Sequence, residues 1–394
     1  TWLGTDDRYR LEYIDLNKDP GTVVTLEDEF AAGYDLIEAV GSEVFFRTTL
    51  DAPRGRIIKI DLADGGKKGW QEVVPQGEQV LRTASLVGDK LVLQYLQDAH
   101  SRVSVHDLQG KALREVALPG LGTASGFPTD PNHAGTHFSY SSLDRPATIY
   151  RYDVNSGKTE PVLSPEGAFD PQDFVVEQVF YPSSDGTRVP MFIAHKKGLK
   201  RDGNAPTLLY GYGGFNISLT PRFSVTRLAW MDMGGVFAMA NLRGGGEYGE
   251  EWHKAGTKLQ KQNVFDEFIA AAEYLIEEKY TRPQRLAVQG GSNGGLLVGA
   301  VINQRPELFA AALPAVGVMD MLRFHRFTAG RFWVDDYGSA DDPQEFKALY
   351  AYSPYHNIAE GGRYPATLVT TADTDDRVVP GHSFKYIARL QQSH

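Results

Sequence analysis

Short runs of hydrophobic residues recur at an even interval along the first 160 residues of this chain. Runs at 11–14, 57–60, 103–106 and 149–152 are each followed by an aspartate, and these aspartates lie 46 residues apart, at Asp15, Asp61, Asp107 and Asp153. Glycines that precede other strand-like runs lie 47 residues apart, at Gly41, Gly88 and Gly135. Short strands repeated about every 45 residues predict the four-stranded blades of a β-propeller. A meander sandwich with accidental spacing is the alternative interpretation.

The repeat accounts for about three and a fraction blades, whereas a propeller needs at least about four blades to close its ring. We therefore expect residues 1–165 to form an incomplete β-propeller domain whose preceding blades are absent from this chain. The chain also begins at Thr1 rather than at a methionine, and we interpret it as a fragment or a processed piece.

Strands alternate with helices from about residue 169 onward. A leading hairpin is predicted over 174–181 and 190–194, and further strands are predicted at 207–210, 236–240, 286–289, 310–313 and 367–371. Apolar residues also recur at helical spacing between these strands, at Val264, Phe265, Phe268, Ile269, Ala272, Leu275 and Ile276. This alternation predicts a mostly parallel sheet that is covered by helices on both faces.

A serine flanked by glycines lies between one of these strands and an apolar helix. Residues 290–294 read Gly-Gly-Ser-Asn-Gly, which fits the nucleophile-elbow pattern G-x-S-x-G. Because the strand must turn into a helix within about two residues, we expect Ser292 to project from a strained backbone at the carboxyl ends of the strands. Side chains in place of Gly290 and Gly294 would collide with this turn. The N–H of Asn293, at the helix N-terminus, is placed to stabilise an oxyanion.

A nucleophilic serine of this type is followed along the chain by an acid and then by a histidine. The acid is expected in the loop after a buried strand at 367–371, where spacing alone leaves three aspartates open, Asp373, Asp375 and Asp376. No further strand follows to carry the histidine. His382 begins a helix predicted over 381–392 and favours a surface or capping role. His394 is terminal, so we expect the catalytic base to be missing from this chain.

Composition narrows the classes of function. The chain has a net charge of −10, which argues against a nucleic-acid partner or an acidic membrane surface. It contains no cysteine, which excludes disulfides, thiolate metal sites and a cysteine nucleophile. No apolar run is long enough to cross a membrane. We expect no cofactor, no metal and no membrane partner. The location is expected to be cytoplasmic or periplasmic, a choice left open because we take the natural N-terminus to be missing.

Four stretches together resemble the prolyl oligopeptidase family of serine peptidases. They are Tyr-Gly-Tyr-Gly-Gly-Phe-Asn at 210–216, Asn-Leu-Arg-Gly-Gly-Gly-Glu-Tyr-Gly at 241–249, Gly-Gly-Ser-Asn-Gly-Gly at 290–295 and Asp-Asp-Arg-Val-Val-Pro at 375–380. The resemblance covers essentially the whole chain. It implies an α/β-hydrolase domain over 166–394 next to a propeller that has seven blades in the family. It also implies a monomer that hydrolyses short proline-containing peptides on the C-terminal side of proline, through an acyl-enzyme.

The resemblance implies roles for particular residues. Ser292 matches the nucleophile and Asp375 the acid of the triad, while the Tyr212 hydroxyl and the Asn293 N–H match the oxyanion hole. Among substrate-binding residues, Trp333 matches the indole that stacks on the proline ring, Arg377 matches an arginine that binds a substrate carbonyl, and the remaining pocket matches Phe215, Val318, Tyr337 and Val378. An apolar slot with an aromatic floor suits a proline ring, which is flat and lacks an N–H.

Two of these residues also have simpler interpretations. From the residues alone, Trp333 is more readily explained as ordinary core. For Arg377, an ion pair with Asp373 or Asp376 is the alternative role. Family members carry the histidine on a loop beyond the last strand, which implies a hydrolase domain truncated before that loop. We therefore expect this chain alone to be inactive, because a triad that lacks one member retains little catalysis.

Two other functions remain open at this stage. One is a related oligopeptidase that prefers Lys or Arg in its S1 pocket, for which Glu247 is the nearest candidate carboxylate. The other is a non-catalytic propeller–hydrolase scaffold that binds partners, which only the missing histidine supports.

Overall fold

The structure is a computed structural model that describes residues 8–16, 21–63, 69–165, 167 and 169–393. Glu166, at the predicted domain boundary, and His394 lie outside the described residues. The chain divides into two compact units. The first consists of Thr1–Ser141 and Ala147–Pro165, and the second of Ser142–Pro146 and Glu166–His394.

Within its described residues, the first unit contains three antiparallel sheets of four strands and one pair of strands. The pair is β1 (Leu11–Ile14) and β2 (Val23–Glu27). The first sheet has the strands β3 (Tyr34–Val40), β4 (Glu43–Thr48), β5 (Arg56–Asp61) and β6 (Gln71–Val74). The second sheet has β7 (Val80–Val87), β8 (Lys90–Gln97), β9 (His100–His106) and β10 (Ala112–Glu115). The third sheet has β11 (Thr123–Gly126), β12 (Gly135–Ser141), β13 (Thr148–Asp153) and β14 (Thr159–Leu163).

Three of the repeated aspartates, Asp61, Asp107 and Asp153, lie where the third strand of a four-stranded sheet ends, whereas Asp15 follows β1 of the strand pair. The Asp153 carboxylate accepts the N–H groups of Asn155 and Ser156 at 3.2 and 2.7 Å. Asp107 accepts from Gln109 and Lys111 in the same way, at 3.0 and 2.8 Å. The aspartate therefore turns the chain into the fourth strand, as is usual for Asp in a turn, and this explains its fixed place in the repeat.

The repeated glycines do not share one conformation. Gly41 and Gly88 occupy the turns between the first and second strands of their sheets and have φ of +64° and +58°. Only glycine adopts this region at little cost. Gly135 is instead the first residue of β12, so the third member of the series marks the strand and not the turn.

The second unit is built on a seven-stranded mixed sheet. Its strands in spatial order are β15 (Phe174–Pro182), β16 (Arg188–Lys196), β18 (Val236–Ala240), β17 (Thr207–Tyr210), β19 (Leu286–Gly291), β20 (Ala311–Ala315) and β21 (Ala366–Thr367). The leading hairpin β15–β16 pairs antiparallel with β18, and the strands from β18 to β21 are parallel. The carboxyl ends of β17, β19, β20 and β21 therefore lie at one edge of the sheet, where such folds bind ligands.

Helices connect the strands of this sheet. They are α1 (Val225–Asp232), α2 (Glu250–Lys254), α3 (Gln262–Glu277), α4 (Asn293–Gln304), α5 (Val334–Tyr337), α6 (Pro343–Tyr352) and α7 (Gly381–Gln392). The helical spacing predicted around Phe268 is confirmed, because Val264, Phe265, Phe268 and Leu275 all lie on the buried face of α3. These side chains and the strand residues beneath them form one hydrophobic core.

One strand differs from its prediction. The sequence favours a buried strand over 367–371, but β21 has only two residues, and a single further bridge joins Thr370 to Ala315. Leu368 is 60% exposed. In the described sheet β21 is the edge strand, paired only with β20, so alternate side chains face solvent even though the run is hydrophobic.

Candidate active site

Ser292 lies at the turn between β19 and α4. It has φ 57° and ψ −118°, a conformation that costs about 1–3 kcal/mol for a residue with a side chain and that is typical of functional sites. Its N–H donates to the carbonyl of Ala315 at 2.9 Å, and its own carbonyl accepts the N–H of Leu296 at 3.1 Å. The serine is therefore held by a neighbouring strand on one side and by its helix on the other, with a half-buried side chain.

Close backbone contacts explain the two glycines of the elbow. A Cβ on Gly290 would lie 2.2 Å from the carbonyl oxygen of Gly294, and a Cβ on Gly294 would lie 2.7 Å from the carbonyl oxygen of Gly211. Both contacts are with backbone atoms, which cannot move aside as a side chain can. The predicted collisions at these two positions are confirmed.

The loop after β17 brings Tyr212 to the serine. The Tyr212 phenol lies near the Ser292 side chain, and burial raises the pKa of this phenol above its ordinary value. It therefore stays protonated at neutral pH and can donate a hydrogen bond. Gly213, the next residue, has φ +64°, and a Cβ there would lie 2.3 Å from Val264, so the loop requires glycine at this position.

Asn293 connects this loop to the serine and to α5. Its side-chain amide donates to the carbonyl of Tyr212 at 2.5 Å, and its side-chain oxygen accepts the hydroxyl of Tyr337 at 3.0 Å. Asn293 is almost fully buried. Its backbone N–H belongs to the first turn of α4, where amides have no partner within the helix and point toward the turn that carries Ser292.

The residues predicted to bind a proline ring are apolar and mostly buried. Val318, Trp333, Tyr337 and Val378 belong to the core of the second unit, and Phe215 packs against that core. The rings of Phe215 and Tyr337 meet edge to face with centroids 5.2 Å apart. Trp333 is only 6% exposed, so its burial agrees with the simpler interpretation as core and equally with the floor of a pocket.

Asp375 lies in the loop that follows β21, at the same sheet edge as Ser292. Its carboxylate accepts the N–H groups of Arg377 and Val378 at 3.0 and 2.9 Å. This carboxylate therefore shapes the loop that carries two predicted substrate-binding residues. Arg377 is exposed and forms no ion pair with Asp373, Asp376 or any other carboxylate among the described residues, so the predicted ion-pair alternative is wrong.

Among the described residues, no histidine hydrogen-bonds Ser292 or Asp375. His382 is buried and not on the surface as expected. Its Nδ1 accepts the backbone N–H of Asp320 at 3.1 Å, and its ring meets Phe327 edge to face. Burial lowers the pKa of His382 to about 4, so it is neutral at pH 7 and serves as a packed acceptor.

Glu247, the candidate carboxylate for a basic S1 pocket, is 1% exposed. Its Oε1 accepts the backbone N–H of Leu219 at 2.8 Å and the side-chain amide of Asn241 at 3.3 Å. These contacts give it a structural role that joins two loops and leave it turned away from solvent.

A buried charged cluster behind the Tyr212 loop was missed by the sequence analysis. Asp336, one residue before Tyr337, accepts the N–H of Phe215 at 3.1 Å and contacts His253 Nε2 at 2.7 Å. The ammonium of Lys261 lies 3.7 Å from the same carboxylate and donates to the carbonyl of Gly213 at 2.9 Å. Charged residues are normally exposed. Lys261 and Asp336 also lie 75 positions apart along the chain, so the sequence pattern carries no signal for their pairing.

Comparison with known families assigns both parts of the chain. The model of the prolyl oligopeptidase family matches residues 221–394, and the model of the prolyl oligopeptidase N-terminal beta-propeller domain matches residues 2–165. These matches confirm the predicted fold class of an α/β-hydrolase domain with a β-propeller domain.

Individual relatives are similar over nearly the whole chain. The chain is 47% identical over 363 residues to a prolyl endopeptidase of Elizabethkingia miricola, which covers 92% of this chain and 51% of the relative. It is 44% identical over 391 residues to a prolyl endopeptidase of Dictyostelium discoideum, with 95% and 51% covered. A solved structure of prolyl oligopeptidase B from Galerina marginata has a TM-score of 0.94 at 37% identity, covering 99% of this chain and 56% of that one. The chain thus spans about half the length of the curated relatives it matches.

Described residues provide no helix with the length and apolar character that a membrane span requires. In the same part of the chain, no group of histidine and carboxylate side chains is arranged to hold a metal ion.

Proposed function

Because this chain belongs to the prolyl oligopeptidase family, we propose that it carries the nucleophile, the oxyanion hole and the S1 pocket of a serine peptidase. The reaction would be hydrolysis of short peptides on the C-terminal side of proline through an acyl-enzyme. The observation that carries this proposal is the strained Ser292 at the carboxyl edge of the sheet, next to the Tyr212 loop that the Asn293 side-chain amide holds by its 2.5 Å hydrogen bond to the Tyr212 carbonyl. We further propose that the hydrolase domain begins at residue 166, after a propeller domain over 1–165.

The first chemical step would be attack of the Ser292 hydroxyl oxygen on the carbonyl carbon of the substrate's proline residue. The carbonyl oxygen becomes negatively charged in the tetrahedral intermediate. The Tyr212 hydroxyl and the Asn293 N–H would donate to this oxygen, and two such donors in a water-poor site stabilise the developing charge. Collapse of the intermediate expels the amine and leaves proline esterified to the serine, which water then hydrolyses.

Substrate selection would rest on the apolar residues around Tyr337. Phe215 and Tyr337 present two ring faces at right angles, and Trp333, Val318 and Val378 supply buried apolar surface next to them. A proline side chain has no polar atom to leave unpaired in such a pocket, whereas Lys or Arg would bury an uncompensated charge. The exposed Arg377, which carries its charge near Tyr212 and Tyr337, would donate to a carbonyl of the substrate.

The proposed triad contains Ser292 and Asp375 and requires a histidine, which the described residues do not supply. Asp375 would hold that histidine in the tautomer that accepts the serine proton. The backbone bonds to Asp375 Oδ1 fix its side chain and leave further lone pairs for an imidazole N–H. We propose that the functional protein is a monomer that acts on short proline-containing peptides; the name prolyl endopeptidase, which its relatives carry, supports proline as the residue at which it cleaves.

The test uses the full-length protein that carries residues 1–394. A fluorophosphonate probe is expected to label the protein at Ser292, and Ser292→Ala is expected to lose labelling and to lower kcat on a proline chromogenic peptide by at least about 10³-fold. Ser184→Ala, an exposed serine of the same unit, is the matched control and should behave as the parent does. Undiminished cleavage by Ser292→Ala would refute the proposal, and a folded protein that the probe never labels would favour the scaffold.

A further inference from the structure

Three ionisable side chains converge behind the Tyr212 loop. Asp336 is 2% exposed and Lys261 1% exposed. His253, which is half-buried, completes the cluster through its 2.7 Å contact with Asp336 Oδ1. The Lys261 ammonium also lies 5.3 Å from the centre of the Tyr337 ring. The three residues come from different places in the chain: α2, the residue before α3, and α5.

The carboxylate of Asp336 joins two segments that belong to the proposed active site. It is part of α5, next to Tyr337 and three residues after Trp333. It also accepts the backbone N–H of Phe215, so it links the two segments that carry the pocket aromatics. Through Lys261 the link extends to the carbonyl of Gly213, the residue that follows Tyr212.

Stability alone is a weak reason for such a cluster. Removing two charges from water costs several kcal/mol per ion, and apolar residues of similar size often stabilise a core at least as well. A buried ion pair with fixed hydrogen bonds does, however, impose one geometry on the groups it contacts. Here those groups are the backbone directly after Tyr212, from Gly213 to Phe215.

We propose that Asp336 is a positioning residue that, with Lys261 and His253, sets the Tyr212 loop against the proline pocket. It would act through the loop and would not contact the substrate. In this arrangement, the Asp336 carboxylate fixes both Phe215 and α5. The carbonyl oxygen of a bound proline residue therefore lies next to the phenol of Tyr212. This inference rests on the proposed peptidase function for its kinetic readout, but not for its structural one.

The structural test measures hydrogen exchange of the backbone amides of 211–217 in the full-length protein. Asp336→Asn is nearly isosteric and removes the charge that faces Lys261 and His253. We expect exchange in this loop to rise by at least about tenfold, with the elbow amides of 290–296 changed much less. Asp335→Asn alters the exposed neighbouring residue of the same helix and should change neither segment. Unchanged exchange at 211–217 in Asp336→Asn would overturn the proposal.

The kinetic test is a double-mutant cycle with Tyr212→Phe on a proline chromogenic peptide. Because a misplacement of about 1 Å can reduce rate about 10²-fold, we expect Asp336→Asn alone to lower kcat/KM by about 10- to 100-fold. In the Tyr212→Phe background, the same change should cost much less, since Asp336 acts through the group already removed. Fully additive losses would overturn the positioning role even if the variant is slower.

Two further outcomes are distinguished by this design. A wild-type protein that is folded but cleaves no proline peptide would defeat the proposed function, while hydrogen exchange would still decide whether Asp336 holds the loop. If Asp336→Asn does not fold, His253→Ala takes its place in both tests. This change removes one partner of the same carboxylate, and His253 is only half-buried. Unchanged loop exchange or additive kinetics in His253→Ala would then overturn the proposal.

Discussion

At the scale of single residues, the site depends on backbone contacts that leave no room for side chains. The strained conformation of Ser292 costs about 1–3 kcal/mol. It is maintained because neighbouring segments pack directly against the backbone on either side of this serine. The Gly290 and Gly294 contacts place β19, α4 and the Tyr212 loop at separations that only glycine allows. The elbow is therefore a property of several segments that share one turn.

Gly290 and Gly291 provide a matched pair that tests this reasoning. A Cβ at Gly290 would lie 2.2 Å from a backbone oxygen, whereas at Gly291 the nearest neighbour is 3.9 Å away. We expect Gly290→Ala to lower the free energy of unfolding by at least about 2 kcal/mol, since overpacking against a fixed backbone is costly. Gly291→Ala should change it by no more than about 0.5 kcal/mol.

Urea unfolding of both variants measures these free energies, and fluorophosphonate labelling of the full-length protein reports the state of Ser292. We expect Gly290→Ala also to lose labelling, because the serine can no longer be held at the turn. Equal losses of stability in the two alanine variants would show that the close contact does not determine the choice of glycine.

The same scale shows what a sequence can and cannot predict about a site. The strained turn at Ser292 and its close-packed glycines were predicted correctly because a strand, a turn and a helix follow each other within one short segment. Asp336 could not be predicted, because its importance comes from partners distant in sequence. His382 was expected in a surface or capping role for a similar reason: its helix was predicted correctly, but the burial of one helix face depends on the loop at Asp320 that packs on it.

At the scale of elements, the blade repeat is maintained by turns as much as by strands. The third strand of each four-stranded sheet ends at an aspartate whose carboxylate accepts amides of the following turn, as Asp107 and Asp153 show. The strand pattern of the second unit was predicted well from β15 to β20. It was wrong at β21, where hydrophobicity alone could not indicate an edge position.

Helix α7 illustrates how the packing of an element creates a dependence on pH. His382 accepts the Asp320 N–H only in its neutral form, and burial lowers its pKa to about 4. In the unfolded chain a histidine takes up its proton near pH 6.5. Between these values the unfolded state binds more protons than the folded state, so stability falls as the pH falls from about 6.5 to about 4.

We expect this titration to remove up to about 3 kcal/mol from the free energy of unfolding across that range. His382→Asn keeps an acceptor for the Asp320 N–H but cannot titrate, so its stability should lack this part of the pH dependence. Urea unfolding at pH 7, 6, 5 and 4.5 measures the difference between the two proteins. Ser383→Ala, a buried neighbour in α7, should shift stability by a constant amount at each pH. Parallel curves for wild type and His382→Asn would show that His382 does not carry the effect.

At the scale of the whole molecule, the two compact units have separate hydrophobic cores. The cluster around Leu93 in β8 draws its members from β3 to β8 of the first unit, and the cluster around Leu209 in β17 lies entirely within the second. The first core packs one four-stranded sheet on the next. The second packs helices on a parallel sheet and supports Ser292 and the Tyr212 loop. We therefore expect damage to one core to leave the fold of the other intact.

Leu93 and Leu209 allow a like-for-like test, since both are fully buried and both can be shortened to alanine. Each substitution should cost about 2–5 kcal/mol in the unit that contains it, through lost burial and the cavity that remains. In the full-length protein, Leu93→Ala should raise proteolysis within residues 1–165 and leave fluorophosphonate labelling of Ser292 unchanged up to the wild-type midpoint temperature. Leu209→Ala should lower the midpoint temperature of labelling, because β17 leads directly into the Tyr212 loop. An equal fall in the labelling midpoint for both variants would mean that the two cores unfold as one, and that the propeller and the serine elbow cannot be altered separately.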